Sequence, residues 1–322
     1  MTIQEYKSVF LAYLELKIQI KEPKNLYEPI QYILQIGGKR LRPILTLISA
    51  DYFNGNYKEA LPASLAIEVF HNFTLVHDDI MDEAPIRRGK TTVHKKWDLN
   101  RGILSGDAMM LMTNQLMEYY EPHKFKDLMV LFNKTAIEVC EGQQYDVDFE
   151  TRNDVKITEY IKMITFKTAV LVACSLKMGA IIANASEKDS ALIYDFGLNL
   201  GIAFQLQDDY LDTFGNPKTF GKQIGGDILE NKKTFLHLKL LEVVNRSDKE
   251  KLLNWYKIND KSTTKVAEIT QLYTKYKIPK MVKKEIDTFT KLSFNSLENS
   301  SISTEGKQFF IQLGNNLLKR TV

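Results

Sequence analysis

Apolar residues recur at steps of three and four along most of the chain, which is the spacing of one face of an α-helix. The opening segment shows it clearly, with Ile3, Tyr6 and Phe10 on one face. The eight prolines fall in turn-like segments or just inside a new apolar run, and none lies between Pro122 and Pro217. The apolar segments between these breaks exceed the roughly 4 to 8 residues of a strand. The sequence therefore predicts an all-α fold.

Composition and charge narrow the possible classes of protein. The chain has 322 residues, of which 44% are hydrophobic and 26% are charged, and its formal net charge is +3. These values are typical of a soluble globular protein and exclude a disordered or collagen-like chain. The near-balance of charge argues against a nucleic-acid-binding protein, because such domains are usually strongly basic. The length fits either about two domains or one large domain.

Cysteine usage and the apolar segments bear on the compartment. Cys140 and Cys174 do not form a CxxC pair, which favours reduced thiols. Residues 1–20 carry charges among their apolar positions, so they do not form the apolar region of a secretion signal. The most apolar stretch, residues 169–183, is interrupted by Lys177 and is shorter than the ~18 residues that a membrane span needs. The sequence predicts a cytoplasmic protein without a membrane span.

Two aspartate motifs of the form Asp-Asp-x-x-Asp carry most of the functional information. They occupy residues 78–82 and 208–212, each after an apolar run, and two such motifs rarely occur together by chance. Residues four apart lie on one face of a helix, so the first and last aspartates of each motif project together. Neighbouring carboxylates repel one another and need a cation. Oxygen ligands suit Mg²⁺, which also keeps positions for water and substrate phosphate.

Basic clusters accompany the aspartates. Residues 37–43 (GGKRLRP) place three cations after a flexible turn, and residues 87–90 (RRGK) follow the first aspartate motif. Lys167 lies in an apolar helical stretch, where a lysine needs an anion. Three further lysines flank Asp227: Lys222, Lys232 and Lys233. Because arginine offers a planar fork to phosphate oxygens and lysine a mobile charge, the residues alone predict metal-dependent chemistry on a diphosphate.

Together these segments resemble the trans-type isoprenyl diphosphate synthases, also called polyprenyl synthetases. The resemblance runs from about residue 30 to about residue 240 and rests on six ordered motifs: GGKRLRP at 37–43, LVHDDIMD ending at 82 with RRGKTTVH at 87–94, GQQYD at 142–146, KT at 167–168, FQLQDDYLD at 204–212 and GKQIGGDILENKKT at 221–234. Asn231 is a departure, since many members carry glycine there. The resemblance implies one isoprenoid synthase domain over residues 1–322, a large helical bundle around a central apolar cavity.

The resemblance also implies roles for individual residues. Direct Mg²⁺ ligands, for about three ions per active site, should be Asp78, Asp82 and Asp208. Asp79, Asp209 and Asp212 should support them or hold metal-bound waters, which places Asp212 in the metal site as well. The allylic diphosphate should be held by Arg87, Lys167, Lys222 and Lys232, with Thr168 beside them. Isopentenyl diphosphate should be held by Gly38, Lys39, Arg42, His71 and Arg88. Gln143, Asp146 and Gln205 should line the site between the two substrates.

The implied activity is that of a Mg²⁺-dependent prenyltransferase. Metal ions and cationic side chains neutralise the diphosphate of dimethylallyl, geranyl or farnesyl diphosphate, so that the allylic carbon–oxygen bond ionises away from water. The double bond of isopentenyl diphosphate then attacks the carbocation, and the released diphosphate accepts the proton. A homodimer is expected from the resemblance alone.

Three residues before the first aspartate motif bear on product length: Phe70, Phe73 and Thr74. At a rise of ~1.5 Å per residue, Phe73 lies roughly 7.5 Å below Asp78, where its ring can act as the floor of the product cavity that the resemblance implies. Long-chain members of the family usually carry a small residue there, and farnesyl-forming members tend to carry an aromatic in place of Thr74. The resemblance thus predicts geranylgeranyl diphosphate (C20) first and farnesyl diphosphate (C15) second. The alternative is that Phe73 only packs in the core.

Three other functions account for fewer of these features. A terpene cyclase shares the fold and one aspartate motif, but its second metal motif differs from residues 208–212. A non-catalytic regulatory subunit of a prenyl synthase has eroded aspartate motifs, and both are intact here. A calcium-binding helical protein leaves the basic residues at 39–42 and 87–88 without a role.

Overall fold

The computed structural model describes residues 1–216, 224–258 and 260–319. Helices make up 79% of it, which confirms the predicted all-α class. The helices are α1 Ile3–Lys17, α2 Lys24–Gln35, α3 Leu41–Tyr52, α4 Leu61–Met81, α5 Val93–Lys96, α6 Leu99–Met117, α7 Pro122–Thr151, α8 Ile157–Ile164, α9 Val170–Ile182, α10 Glu187–Phe214, α11 Gly226–Leu229, α12 Phe235–Val243, α13 Arg246–Lys257, α14 Thr263–Lys275, α15 Ile278–Glu298 and α16 Thr304–Leu318. A 3₁₀ turn (Tyr57–Ala60) precedes α4, and a π-helical turn (Thr165–Ala169) separates α8 from α9.

The chain divides into two compact units. Unit 1 consists of residues 1–134 and 174–191, and unit 2 consists of residues 135–173 and 192–322. Each unit has its own buried apolar residues and its own share of the predicted site residues. The prediction of a single domain over residues 1–322 stays a prediction.

In unit 1, α4 packs along α6 and carries the first aspartate motif at its end. Two glycines of α6 permit this close approach. A Cβ atom at Gly106 would overlap the His77 ring, and one at Gly102 would lie 2.9 Å from Ile80 Cδ1. Since His77 and Ile80 flank the first two aspartates of the motif, the packing fixes the part of α4 from which those carboxylates project.

A short hairpin follows α4 and is a local exception to the helical pattern. Its strands, β1 Ile86–Arg87 and β2 Lys90–Thr91, pair antiparallel. The two turn residues, Arg88 and Gly89, have φ angles of 52° and 74°. Positive φ at both positions is typical of the tight turn that matches the twist of two paired strands. The hairpin turns Arg87 and Arg88 back toward the rest of unit 1, where Arg87 contacts Asp79 and Arg88 contacts Gly37.

In unit 2, the buried core surrounds the helix that carries the second aspartate motif. It includes Tyr160 of α8, Leu206 of α10, Ile228 of α11 and Ile269 of α14. The N-cap of α14 is Ser262, whose hydroxyl accepts a hydrogen bond from the Lys265 backbone N–H at 3.3 Å. Short polar caps of this kind satisfy the first N–H groups of a helix.

One helical stretch of the described chain, Ile157–Ile182, has the length and composition of a membrane span, with 26 residues and a mean hydropathy of 1.5. This stretch is longer than the apolar segment found in the sequence, residues 169–183. The helix begins twelve residues before that segment and continues through the π-helical turn. Buried positions account for 67% of its most apolar window, as in the core helix of a globular protein. The absence of a membrane span therefore stays a prediction.

Candidate active site

The first aspartate motif lies at the C-terminal end of α4, where the helix dipole disfavours negative charge. Asp82 is exposed, Asp78 is partly exposed and Asp79 is buried. Arg87 of the hairpin binds two of these carboxylates, with Nε donating to Asp79 Oδ1 at 2.8 Å and Nη2 donating to Asp78 Oδ2 at 3.2 Å. The accessible aspartates are those predicted to bind Mg²⁺ directly, and the buried one is predicted to support them.

Asp79 combines burial with an incomplete set of hydrogen bonds. Burial raises the pKa of Asp79, whereas the guanidinium of Arg87 lowers it. Its Oδ2 atom is buried and has no hydrogen-bond partner among the described residues. A buried carboxylate oxygen in this state is suited to a metal-bound water or a cation. Hard oxygen donors of this kind fit a divalent ion such as Mg²⁺.

Four of the residues predicted to bind isopentenyl diphosphate lie together in unit 1. The Arg88 guanidinium donates to the Gly37 carbonyl and packs on Gly38, where a Cβ atom would lie 2.8 Å from Arg88 Nη1. Arg42 Nη1 lies 3.4 Å from His71 Nε2. Burial, reinforced by Arg42 and Arg88, holds the pKa of His71 well below its usual range, so the ring is neutral. Two guanidinium groups beside a neutral imidazole suit the binding of a diphosphate.

Lys39, next to this group, is exposed. The sequence predicted that the three cations of residues 37–43 bind an anion, and Arg40 does not fit that prediction because it is buried. Arg40 is buried and pairs with Glu68, and it also donates to the Leu34 carbonyl. Its φ of 55° at the N-cap of α3 directs the side chain into unit 1. Arg40 therefore stabilises the segment that carries its two basic neighbours.

The second aspartate motif lies near the end of α10 in unit 2. Both carboxylate oxygens of Asp209 are satisfied, one by the Tyr160 hydroxyl and the other by Gln205 Nε2 at 3.0 Å. Burial raises the pKa of Asp209 well above its usual range. Asp212 is also buried, and Asp208 is the most accessible of the three. This pattern agrees with direct metal binding by Asp208 and a supporting role for Asp209.

Asp227 belongs to the same cluster, although in the sequence only its flanking lysines mark it. Its backbone N–H donates to Asp212 Oδ2 at 3.1 Å, and the Gly225 N–H donates to the Asp212 carbonyl at 2.6 Å. Burial and then the charge of Asp212 raise the pKa of Asp227 to about 7. The available signal was an acidic residue five and six positions before the two lysines of the GGDILENKK segment, but the motif alone does not show that this residue folds back onto Asp212.

Lys167 and Thr168 lie in the π-helical turn between α8 and α9. Lys167 Nζ binds Asp146 Oδ2 at 2.5 Å, and Thr168 Oγ1 donates to Gln205 Oε1 at 3.2 Å. The turn passes close to Gly142 of α7, where a Cβ atom would overlap the Lys167 backbone nitrogen. π-Helical turns often occur at functional sites because they redirect side chains. The structure thus brings Lys167 to Asp146 and Thr168 to Gln205, and the substrate-binding roles of these four residues stay predictions.

The remaining predicted residues of unit 2 are less fully defined. Lys232 Nζ lies 3.3 Å from Glu230 and 3.9 Å from Asp227. Gln143 is half-buried on α7, next to Gly142. Lys222 lies outside the described residues.

Comparison with known proteins identifies the family. The sequence profile of the polyprenyl synthetases matches residues 23–275, which is most of the chain. This chain belongs to the polyprenyl synthetase family. The enzyme is therefore a prenyltransferase with the all-α isoprenoid synthase fold, as predicted.

Individual members of the family are similar to this chain over most of their length. A geranylgeranyl diphosphate synthase from Sulfolobus acidocaldarius is 40% identical over 284 residues, covering 84% of this chain and 86% of that protein. Another from Methanosarcina mazei is 39% identical over 227 residues, 70% of each protein. A crystal structure of a geranylgeranyl pyrophosphate synthase is 49% identical, has a TM-score of 0.95 and covers 100% of both chains.

Enzymes of this family use a divalent metal for catalysis. Within the described residues, no three His, Cys, Asp or Glu side chains are grouped closely enough to bind one ion. In this polyprenyl synthetase, Asp78 and Asp79 are instead paired with Arg87. The carboxylate chemistry fits the metal that the family uses.

The residues predicted to set product length differ in their environments. Phe70 is fully buried and packs on Phe132 and Phe73, with ring centroids 5.1 and 5.6 Å apart. Phe73 is half-buried and meets the His77 ring edge-on at 4.8 Å. The Thr74 hydroxyl donates to the His71 carbonyl. Phe70 therefore belongs to the core and supports Phe73, and the role of Phe73 as a floor stays a prediction.

Proposed function

We propose that this enzyme condenses isopentenyl diphosphate with an allylic diphosphate and forms geranylgeranyl diphosphate (C20). One observation carries the proposal: in each unit, cations assigned to the allylic diphosphate are paired with carboxylates that were also predicted to belong to the active site or that lie beside such residues. Arg87 pairs with Asp78 and Asp79, Lys167 with Asp146, and Lys232 with Asp227. On binding, the divalent metal would replace the cations as partner of the acids, and the diphosphate would replace the acids as partner of the cations, so that both kinds of group keep a partner of opposite charge.

The chemistry assigned to these residues is the ionisation of an allylic diphosphate. Asp78, Asp82 and Asp208 would hold Mg²⁺, about three ions per active site with Asp212 contributing, and the metal would neutralise the leaving diphosphate. Arg87, Lys167, Lys222 and Lys232 stabilise the charge that develops on the leaving oxygen when the allylic carbon–oxygen bond breaks and its electron pair stays with the diphosphate.

The second substrate is bound by the group around Arg42, His71 and Arg88. Its double bond supplies the electron pair for the new carbon–carbon bond to the allylic carbon. Loss of a proton from the adjacent carbon restores a double bond, and the released diphosphate accepts that proton. The neutral His71 has no acid–base role in this scheme, and it orients Arg42.

For product length, the relatives named geranylgeranyl diphosphate synthases support C20 over C15. The aromatic floor assigned to Phe73 gives the physical reason. Phe73 rests on a fully buried Phe70, so its ring cannot retreat without disturbing the core.

We also propose that the enzyme is a homodimer in the cytoplasm. Several apolar side chains are strongly exposed: Leu104 (60%) and Leu111 (65%) on α6, and Val130 (64%) and Ile137 (62%) on α7. On each helix the two residues are seven positions apart and share a face. A stripe of this kind suits burial against a second copy of the chain. Sedimentation should give the dimer mass, and Leu111→Glu should shift it to the monomer.

One assay tests the reaction and the product together. The purified protein is incubated with Mg²⁺, isopentenyl diphosphate and dimethylallyl, geranyl or farnesyl diphosphate in turn, and the products are sized by mass spectrometry. A C20 product supports the proposal, and a C15 product moves the floor one isoprene unit closer to the aspartates. Folded protein that condenses none of the three starters would instead support the regulatory-subunit alternative.

A further inference from the structure

A buried lysine of α14 contacts the segment that carries Lys232. The Lys265 side chain is completely buried, with an exposed fraction of 0%. Its Nζ donates to Asn231 Oδ1 at 2.7 Å and lies 5.7 Å from the centre of the Tyr256 ring. Among the described residues the Asp260 carboxylate acts on Lys265 through its charge, and the hydrogen bond to Asn231 is the direct polar contact of this Nζ. Burying a lysine is costly, so the Asn231 hydrogen bond and the nearby Asp260 charge compensate for it.

Asn231 occupies a position where the backbone itself favours glycine. Its φ is 58°, in the left-handed region, and it follows the end of α11. Asparagine tolerates this conformation better than most residues, and unlike glycine it adds a hydrogen-bonding side chain. That side chain is used here as the acceptor for Lys265.

The segment between Gly225 and Lys232 is attached on two sides. On one side, Asp212 accepts hydrogen bonds from the backbone N–H groups of Gly225 and Asp227, and the Asp227 carbonyl accepts from the Lys232 N–H at 2.9 Å. On the other side, α14 packs against it at Gly225, where a Cβ atom would lie 2.5 Å from Val266 Cγ1. Val266 adjoins Lys265, so the apolar contact and the polar contact come from one turn of α14.

We propose that Lys265 is a positioning residue, which orients Lys232 toward the allylic diphosphate by holding the Asn231 side chain. The inference rests on the proposed function, because it assumes that Lys232 binds a diphosphate. It gives the helices beyond residue 240 a part in the active site. Lys265 itself is buried behind Asn231 and does not touch the substrate.

The test measures binding of inorganic diphosphate by calorimetry in the presence of Mg²⁺, together with steady-state kinetics. Lys232→Met defines the effect of losing the cation. Asn231→Gly keeps the left-handed backbone and removes the acceptor, and Lys265→Met removes the donor and keeps the apolar stem. Lys275→Met is the matched control, because Lys275 lies on the same helix but pairs with Asp248 at 2.6 Å. Circular dichroism verifies folding, and Asn231→Gly carries the test if Lys265→Met does not fold.

We expect Asn231→Gly and Lys265→Met each to weaken diphosphate binding about tenfold. The KM of the allylic substrate should rise by a similar factor while the KM of isopentenyl diphosphate stays unchanged. The double variant should bind within about twofold of either single variant, since both changes remove the same contact. Asn231→Asp, which retains the acceptor, should bind like the wild type.

The outcomes separate the inference from the proposed function. If Lys232→Met weakens binding while Asn231→Gly and Lys265→Met bind like the wild type, or if their effects multiply in the double variant, the inference is overturned and the proposed function stands. If Lys232→Met itself binds diphosphate normally, the role of Lys232 in the proposed function is wrong, and the inference is overturned with it.

Discussion

Replacing Gly142 with alanine tests how the π-helical turn positions Lys167. The new methyl group would overlap the Lys167 backbone nitrogen and lie 2.7 Å from the Lys167 Cα and the Phe166 carbonyl carbon. The nearest of these atoms, the Lys167 nitrogen, would lie at 2.2 Å and ordinary contact begins at 3.4 Å, so α7 and the turn must separate by about 1.2 Å. The overlapping atoms belong to the backbone and cannot rotate away. Overpacking of this kind costs about 3 kcal/mol, at the upper end of its usual range.

A second effect acts in the opposite direction. Alanine is better than glycine inside a helix by about 1 kcal/mol, and Gly142 lies within α7. We therefore expect a net loss of about 2 kcal/mol in the free energy of unfolding, measured by urea denaturation. Because a displacement of about 1 Å at a positioning group lowers rates about 100-fold, kcat/KM for the allylic substrate should fall by that factor.

Gly314→Ala is the matched control for this prediction. Gly314 is also inside a helix, α16, but its nearest contact is the Phe294 side chain at 3.0 Å, which can shift by a few tenths of an ångström. This variant should keep wild-type kcat/KM and approximately wild-type stability. A Gly142→Ala enzyme that lost stability but kept its kcat/KM would refute the assignment of Lys167 to the diphosphate. One that lost neither would refute the close approach itself.

Four further substitutions test the metal site, the product floor and the core of unit 2. Asp78→Asn and Asp208→Asn should each lower turnover at least about 100-fold with little change in melting temperature, and near-normal turnover would contradict the metal assignment. Phe73→Ala should lengthen the product beyond C20, as read by mass spectrometry, whereas an unchanged product would place the floor elsewhere. His237 is a buried residue of α12, and His237→Phe should remove an acid sensitivity of the fold. Burial lowers the pKa of His237 to about 3, so the unfolded chain binds the proton first as pH falls. The wild type should therefore lose about 2 kcal/mol more stability than the variant between about pH 7.5 and 5, and equal losses would contradict this.

Features that depend on local spacing were predictable from the sequence. Helical periodicity predicted the all-α class. The spacing of apolar residues before each aspartate motif also predicted that both motifs lie on helices, as they do in α4 and α10. These predictions succeeded because each depends on a few residues in one or two turns of helix.

Features that depend on distant partners were not predictable in the same way. From the sequence alone, Arg40 is expected to be a third anion-binding cation. Its left-handed backbone instead turns the side chain toward Glu68, which is 28 residues away in the sequence. In the sequence Asp227 is marked only by its flanking lysines, yet its backbone N–H donates to the Asp212 carboxylate, which is 15 residues away. Each outcome depends on a backbone path that no short motif specifies.

Glycine links these two kinds of feature. Gly38 leaves the space that the Arg88 guanidinium occupies, and Gly142 leaves the space through which the Lys167 backbone passes. In both cases a cation is positioned by the absence of a side chain opposite it, because a charge attracted only by its counterion would remain free to move on a long side chain. The glycines of the GGKRLRP and GQQYD motifs therefore serve the same purpose as the cations near them, which is to fix positive charge where a diphosphate must bind.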